Sequence, residues 1–366
     1  MRVVIARTAP VLSMDMYADG LVRGLKAIRP EWDIVEVKPY YLNHNSNKSL
    51  IAKLWRYCQR SWYYPYTVTQ QKADIFHVID HSYGHLVYWL KQTGQPIIVT
   101  CHDLANFIYP ENIYSDAKLP FISLLTWKFA VQGMKIADQV VAISSNTAKD
   151  IERMLNIQTT IIPNAIDSVF RPLLPNEVKH FRREQGILPD QICLLNVGSV
   201  VPRKNINTIL KTLKVLKERG SDVHLWKTGA DFNLDQKKLI RSQGLDNFIT
   251  YLGQPDLQTL VQIYNAADVL LSPSLYEGFG MTVLEAMACG IPVITSNVSS
   301  LPEVAGDAGI LVDPMDVQSI ADAVHRLHSD PIYRQSLIDK GIARVKAFTW
   351  EATAEQIAKL YEKAAG

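Results

Sequence analysis

Glu277 and Glu285 stand with seven residues between them, and the turn Glu277-Gly-Phe-Gly-Met281 opens an apolar helical pattern. Gly278 and Gly280 allow backbone to approach a ligand closely, and the free amides at a helix start present positive partial charge. That layout suits a phosphate, with the two carboxylates accepting hydrogen bonds from the hydroxyls of a ligand lying across the helix start. A plainer reading caps the helix with Glu277 and leaves Glu285 on a solvated face. It sits poorly with the neighbours of Glu285, which are Val283, Leu284, Ala286 and Met287, because a buried carboxylate without a partner is costly.

Gly198-Ser-Val-Val-Pro-Arg-Lys-Asn205 has a similar form, following an apolar run and preceding the helical pattern Ile206 to Lys217. Cations near a helix start oppose the macrodipole unless an anion lies between them and the helix. A diphosphate would be that anion for Arg203 and Lys204. Taken alone, the pair reads more simply as two solvated cations on a turn. His102, in Thr100-Cys-His-Asp103, closes another apolar run. A lone histidine at a strand end is more often structural than catalytic.

No Asp or Glu occurs between Glu36 and Asp74. Helical spacing within that stretch puts Lys53, Arg56 and Arg60 on one face and Leu50, Leu54, Trp55 and Cys58 toward the other. Two readings stay open: a basic helix lying on an anionic membrane, or an ordinary helix packing Leu50 and Leu54 on its own sheet.

Such residues need a scaffold, and the chain offers two alternating series. Arg2 to Ala6, Asp33 to Val37, Ile75 to Ile79, Ile97 to Cys101, Gln139 to Ile143 and Thr159 to Ile162 read as strands, with helical patterns at Met16 to Ala27, Leu50 to Arg60 and Leu124 to Lys135. A second series follows Pro172 and Pro175: Ile192 to Val197, Val223 to Trp226, Phe248 to Leu252, Asp268 to Ser272, Ile291 to Thr295 and Gly309 to Val312. Strands alternating with helices predict two doubly wound parallel sheets with a boundary near residue 170 and a cleft between the domains.

Composition agrees with that scaffold. The 366 residues are 48% hydrophobic and 20% charged with a net charge of +2, which excludes fibrous and disordered classes and gives no nucleic-acid signature. The four cysteines are scattered with no C-x-x-C pair, and no apolar run approaches a spanning helix, so a reducing, cytosolic setting is expected. P-loop, dinucleotide and serine-hydrolase motifs are absent, as is D-x-D.

The motifs together resemble the retaining, nucleotide-sugar-dependent glycosyltransferases of the GT-B type, specifically glycosyltransferase family 4. The resemblance rests on Glu277-x7-Glu285, on Gly198-Ser with Arg203-Lys204-Asn205, and on Leu301-Pro-Glu-Val to Gly309-Ile-Leu-Val-Asp-Pro314. In the first half, Thr100-Cys-His-Asp103 looks like the family's H-D element, and Pro163-Asn-Ala-Ile-Asp167 resembles P-N-G-I-D with Ala165 in place of glycine. The departure is Thr8-Ala-Pro-Val-Leu-Ser-Met-Asp-Met16, where many relatives carry a Gly-Gly pair.

The resemblance implies an α/β GT-B fold of two Rossmann-like domains, residues 1–170 on the acceptor side and 171–366 on the donor side, with the final helix free to return to the first. It implies Glu277 on donor-sugar hydroxyls, Glu285 on the ribose, and Arg203 and Lys204 on the diphosphate. Gly198, Gly278 and the backbone of Phe279, Gly280 and Met281 would line the donor pocket, and His102 would lie near the reacting sugar. The implied reaction moves a hexose from a UDP- or GDP-hexose to a hydroxyl on a glycan, lipid or small molecule with retained configuration. Neither a cofactor nor an essential metal is expected. An epimerase or phosphorylase of the same architecture, or a non-catalytic sugar-nucleotide module, are the rivals. The expected location is cytoplasmic, with membrane contact through Lys53, Arg56 and Arg60 as the peripheral option.

Overall fold

The computed structural model describes residues 1–10, 12–40, 50–108 and 121–366; the side chains of residues 12, 50–53 and 121–124 lie outside the described set. The chain divides into two compact units. Among the described residues, the first takes in 1–104, 121–165 and Thr349–Gly366, and the second takes in 105–108 and Ile166–Phe348. The changeover at Ala165 comes a few residues before residue 170.

The first unit is built on β1 (Arg2–Ala6), β2 (Asp33–Val37), β3 (Ile75–Val78), β4 (Ile97–Cys101), β5 (Gln139–Ala142) and β6 (Thr160–Ile161), in the order β2-β1-β3-β4-β5-β6. The second uses β7 (Ile192–Gly198), β8 (Val223–Gly229), β9 (Ile249–Tyr251), β10 (Val269–Ser272), β11 (Val293–Ser296) and β12 (Ile310–Val312), in the order β12-β11-β10-β7-β8-β9. Every ladder is parallel. The central strands are apolar on both faces because helices cover both. Ladders stop short of some apolar runs: β11 begins at Val293 because Pro292 has no N–H to donate.

In each sheet the strand order reverses once, and the carboxyl ends of the strands at that reversal form the natural ligand crevice. In the second unit the reversal lies between β7 and β10, so the segments after Gly198 and after Ser272 are neighbours. In the first unit it lies between β1 and β3, beside β4 and His102.

The core of the first unit joins Val3, Ile5, Ile75, Ile98 and Val141 to two helices, Leu12–Ile28 and Trp350–Ala365. These helices meet closely because Gly20 and Gly24 present no side chain. A Cβ at Gly20 would stand 2.0 Å from Trp350 Cε2, and one at Gly24 would stand 2.6 Å from the Trp350 carbonyl oxygen. In the second unit Leu194, Leu210, Leu213, Leu225, Leu271 and Ile320 belong to one buried cluster.

Candidate functional site

The turn after β7 and the turn after β10 are tied together by backbone and side chain. Leu275 N–H donates to the Arg203 carbonyl at 2.7 Å, and Asn205 Nδ2 donates to the carbonyls of Pro273 at 3.0 Å and Pro314 at 2.7 Å. Asn205 itself adopts a left-handed conformation, φ 58°, which asparagine tolerates better than most residues. This fixes the short 3₁₀ turn Pro202–Lys204 and aims both of its cations at Glu277.

Arg203 Nη1 donates to Glu277 Oε2 at 2.9 Å, and Lys204 Nζ donates to Glu277 Oε1 at 2.6 Å. Burial would push the Glu277 carboxyl up, but Lys204 and Arg203 outweigh it and hold the group below its ordinary value. Glu277 is also clamped through its backbone: its N–H donates to Ser299 Oγ, while the hydroxyls of Ser299 and Ser300 donate to its carbonyl.

Beyond Glu277 the helix Met281–Ala288 starts with no side chain capping it. Its first flanking residue, Gly280, has φ 124°, and a Cβ there would stand 3.0 Å from Leu301 Cδ2. Glu277 therefore does not act as the cap of that helix. Glu285, one turn in, is 8% exposed and accepts from the Tyr264 hydroxyl at 2.5 Å. Burial raises its pKa against the opposing pull of Tyr264 and Lys204. The solvated reading of Glu285 fails on that burial.

Lys227 at the end of β8 was not singled out by the motifs. It is 0% exposed and donates from Nζ to the carbonyls of Gly198 at 2.6 Å and Thr228 at 2.7 Å. Burial, with the repulsion of Lys204 behind it, lowers its pKa to about 8. Its signal in the sequence was a lysine directly after the run Val223 to Trp226, where β8 continues to Gly229. Tyr264, Ser299 and Ser300 carried no such signal, since tyrosine on an amphipathic helix and serines in a loop are ordinary.

In the first unit, His102 is buried and its Nε2–H donates to the Ile79 carbonyl at 2.9 Å, with the ring edge-on to Tyr17 at 4.7 Å between centroids. Burial lowers its pKa despite the nearby Asp80 carboxylate, so the imidazole is neutral near pH 7. Asp80 accepts from Ser82 N–H at 2.7 Å, and this residue also went unread in the sequence. Ala165 is buried and absent from the positive-φ residues, so its backbone is conventional.

The basic segment departs from expectation. Leu54, Trp55 and Cys58 are exposed rather than packed on the sheet. Arg60 is turned inward: its Nη2 donates to the Ser82 carbonyl at 2.6 Å and its guanidinium lies over the Tyr83 ring at 4.7 Å. It is therefore not one of three outward cations. The Lys53 side chain lies outside the described residues, and Arg56 is exposed. Among the described residues no helix is long and apolar enough to cross a membrane.

Residues 177–344 match the family described as Glycosyl transferases group 1, and residues 27–170 match Glycosyltransferase Family 4. The chain is 31% identical to an O-antigen chain mannosyltransferase B of Escherichia coli, over 77% of this chain and 74% of that protein. It is 26% identical to a D-inositol 3-phosphate glycosyltransferase of Actinosynnema mirum, over 82% of this chain and 76% of that one. Among solved structures, a sucrose-phosphate synthase from Thermosynechococcus elongatus superposes with a TM-score of 0.79 at 23% identity, covering 99% of this chain and 98% of that one. Anabaena HepE in complex with UDP and glucose superposes with a TM-score of 0.76 at 16% identity, covering 99% of both. These likenesses establish the GT-B fold.

Proposed function

The chain belongs to the group 1 and family 4 glycosyltransferases, and from that premise we propose that it moves a hexose from a nucleoside diphosphate sugar to a hydroxyl acceptor with retention at the anomeric carbon. The observation that carries the reading is the pairing of Arg203 and Lys204 with Glu277 at the strand reversal of the second unit. A diphosphate arriving there meets two cations and an uncapped helix start, and Glu277, released from them, is free to accept from sugar hydroxyls. Glu285, one turn further in, is assigned to the ribose.

The glycosyl–phosphate bond breaks as the acceptor oxygen bonds to the same face of the anomeric carbon. The acceptor proton passes to the departing phosphate oxygen. Charge developing on that oxygen is stabilised by Arg203, Lys204 and the amides of Gly280 and Met281, which do what a metal ion does in other transferases. No enzyme nucleophile is needed, and no metal is assigned a role. His102, neutral and bound through Nε2–H, is assigned to the sugar as a neutral polar group. UDP and GDP are the bases favoured: HepE is described with UDP and UDP-glucose, and the Escherichia coli relative is a mannosyltransferase. We place the protein in the cytoplasm, meeting a lipid-borne acceptor at an anionic membrane face through the segment that holds Lys53 and Arg56.

The test is a panel of UDP- and GDP-hexoses, with and without hydroxyl acceptors and with and without chelator, read by nucleoside diphosphate release and by the anomeric coupling of the product. Acceptor-dependent release with retained configuration is expected. Release of inverted product, or interconversion of the donor sugar without transfer, would sink the reading.

A further inference from the structure

In the first unit β1, β3 and β4 lie side by side, and the segments that follow them, residues 7–10, 79–85 and 102–104, line the crevice at its strand reversal. Ala9 N–H donates to the Tyr83 hydroxyl at 3.1 Å, which ties the first of these segments to the second. Asp80 opens the second: its Oδ1 accepts from Ser82 N–H and starts the 3₁₀ turn His81–Tyr83. Its Oδ2 lies 3.8 Å from His81 Nδ1, beyond hydrogen-bond reach. That nitrogen is buried and has no partner, although buried polar atoms ordinarily have one.

The charge around this pair is one-sided. Arg7 is the only lysine or arginine among the described residues of the three segments. It is 2% exposed, and its guanidinium is already divided among Asp15, Asp19 and Glu36. Arg60, reaching in from outside them, is held by the Ser82 carbonyl and the Tyr83 ring. Burial holds the Cys101 thiol at the end of β4 well above its ordinary value, and the charges of Asp103, Asp80 and Asp150 push the same way. Those three carboxylates therefore gather about the end of β4. Burial would raise the Asp80 carboxyl too, yet His81, His102 and the Ser82 N–H outweigh it and hold it below its ordinary value, so it is a carboxylate near pH 7.

We infer that Asp80 and His81 seat one hydroxyl of the acceptor, and that the part of the acceptor entering this crevice is an uncharged sugar rather than a phosphorylated one. An ionised carboxylate only accepts, and an imidazole with its proton on Nδ1 donates, so a hydroxyl placed between them satisfies both at once. It gives the orphaned nitrogen its partner. A phosphate oxygen is itself an acceptor near pH 7; it would oppose Asp80 and find no lysine or arginine in these segments beyond the engaged Arg7. The inference rests on the proposed transferase activity and adds to it the class of acceptor.

The experiment measures, by ligand-observed NMR with UDP or GDP present, the binding of methyl α-glucoside, methyl α-galactoside, methyl α-mannoside and the 6-phosphate of each to the full chain. The wild type is expected to bind at least one uncharged glycoside, and to bind its 6-phosphate at least about tenfold more weakly. Asp80→Asn keeps an acceptor for Ser82 but removes the charge, and should weaken the glycoside by about tenfold to a hundredfold while narrowing the gap to the phosphate. Nucleoside diphosphate affinity should not follow, since that site is assigned to the second unit. His81→Phe keeps the ring and loses the nitrogen; it should weaken the glycoside without narrowing the gap, and it carries the test if Asp80→Asn fails to fold. A wild type that binds none of the glycosides, a 6-phosphate bound as well as its parent, or glycoside affinity unchanged in both variants would each overturn the inference. Transfer from the donor panel is measured beside it: glycoside binding that falls in the variants, with no transfer by the wild type from any donor, counts against the transferase reading alone.

Discussion

The ammonium of Lys204 lies 2.6 Å from the Glu277 carboxylate whose other oxygen is held by Arg203. Without donor, the cations meant for a diphosphate are already neutralised in part by the group meant for the sugar. Donor binding is then an exchange of partners, and the net gain is smaller than two new ion pairs would suggest.

Removing the cations should expose that exchange. Lys204→Ala and Arg203→Ala are each expected to weaken nucleoside diphosphate binding by about tenfold to a hundredfold, as fits a charge-assisted hydrogen bond of roughly 1.5–3 kcal/mol. Glu277→Gln frees both cations and should bind the nucleoside diphosphate at least as well as wild type while losing turnover. Titration calorimetry with UDP and GDP checks both, and equal weakening by all three variants would contradict the exchange.

Glu285 and Tyr264 form a second pair with a different reading. Glu285→Ala should weaken the nucleotide itself, because the carboxylate is assigned to the ribose. Tyr264→Phe should do so less, by about threefold to tenfold, since it removes only the hydroxyl that orients Glu285. Nucleoside diphosphate affinity unchanged in both variants would remove Glu285 from the nucleotide site.

Lys227 gives the protein a pH signature. With a pKa of about 8 in the fold against an ordinary 10.5, the unfolded chain binds more protons between those values, so folding stability should rise with pH through that window. Below about pH 8 the ammonium is charged in both states, and its burial penalty is fully felt. Donor affinity should move the other way and fall as pH passes 8, because a positive charge beside Gly198 and Lys204 is lost. Lys227→Met should flatten both trends, measured by melting temperature and by nucleoside diphosphate titration from pH 6.5 to 9.5.

Gly20 and Trp350 are a packing pair that can be tested without activity. Gly20→Ala is expected to cost about 1–3 kcal/mol, as overpacking does, and Trp350→Ala about 3–5 kcal/mol. Their combination should cost less than the sum, because removing the indole makes room for the methyl group. Additive losses in chemical denaturation would show that the two helices adjust independently.

The central strands were readable because parallel strands covered on both faces leave nearly continuous apolar runs, as Ile97 to Cys101 and Ile192 to Val197 do. The donor-side motif was readable because Gly198, Arg203, Lys204, Glu277 and Glu285 are residue types that a strand-to-helix turn does not require for its own sake. What stayed hidden depends on contacts distant in sequence. Tyr264 reaches Glu285 from another helix, and Ser299 and Ser300 reach back across the sheet to Glu277. The inward turn of Arg60 was hidden for a related reason: the spacing that groups it with Lys53 and Arg56 assumes 3.6 residues per turn, and the π-turn at Gln59–Tyr63 breaks that count.

The helix Trp350–Ala365 completes a unit whose other parts end at Ala165. On the ribosome, residues 166–348 must therefore emerge before the first core can close, which at ordinary elongation rates is a delay on the order of ten seconds or more. Throughout that interval Leu21 and Leu25 on the helix Leu12–Ile28 lack the surface that finally covers them. The second unit, whose early residues 105–108 are already made and whose remainder runs unbroken from Ile166 to Phe348, needs nothing beyond Phe348 and is expected to be the first to reach its native state during synthesis, reversing the usual order from amino to carboxyl end.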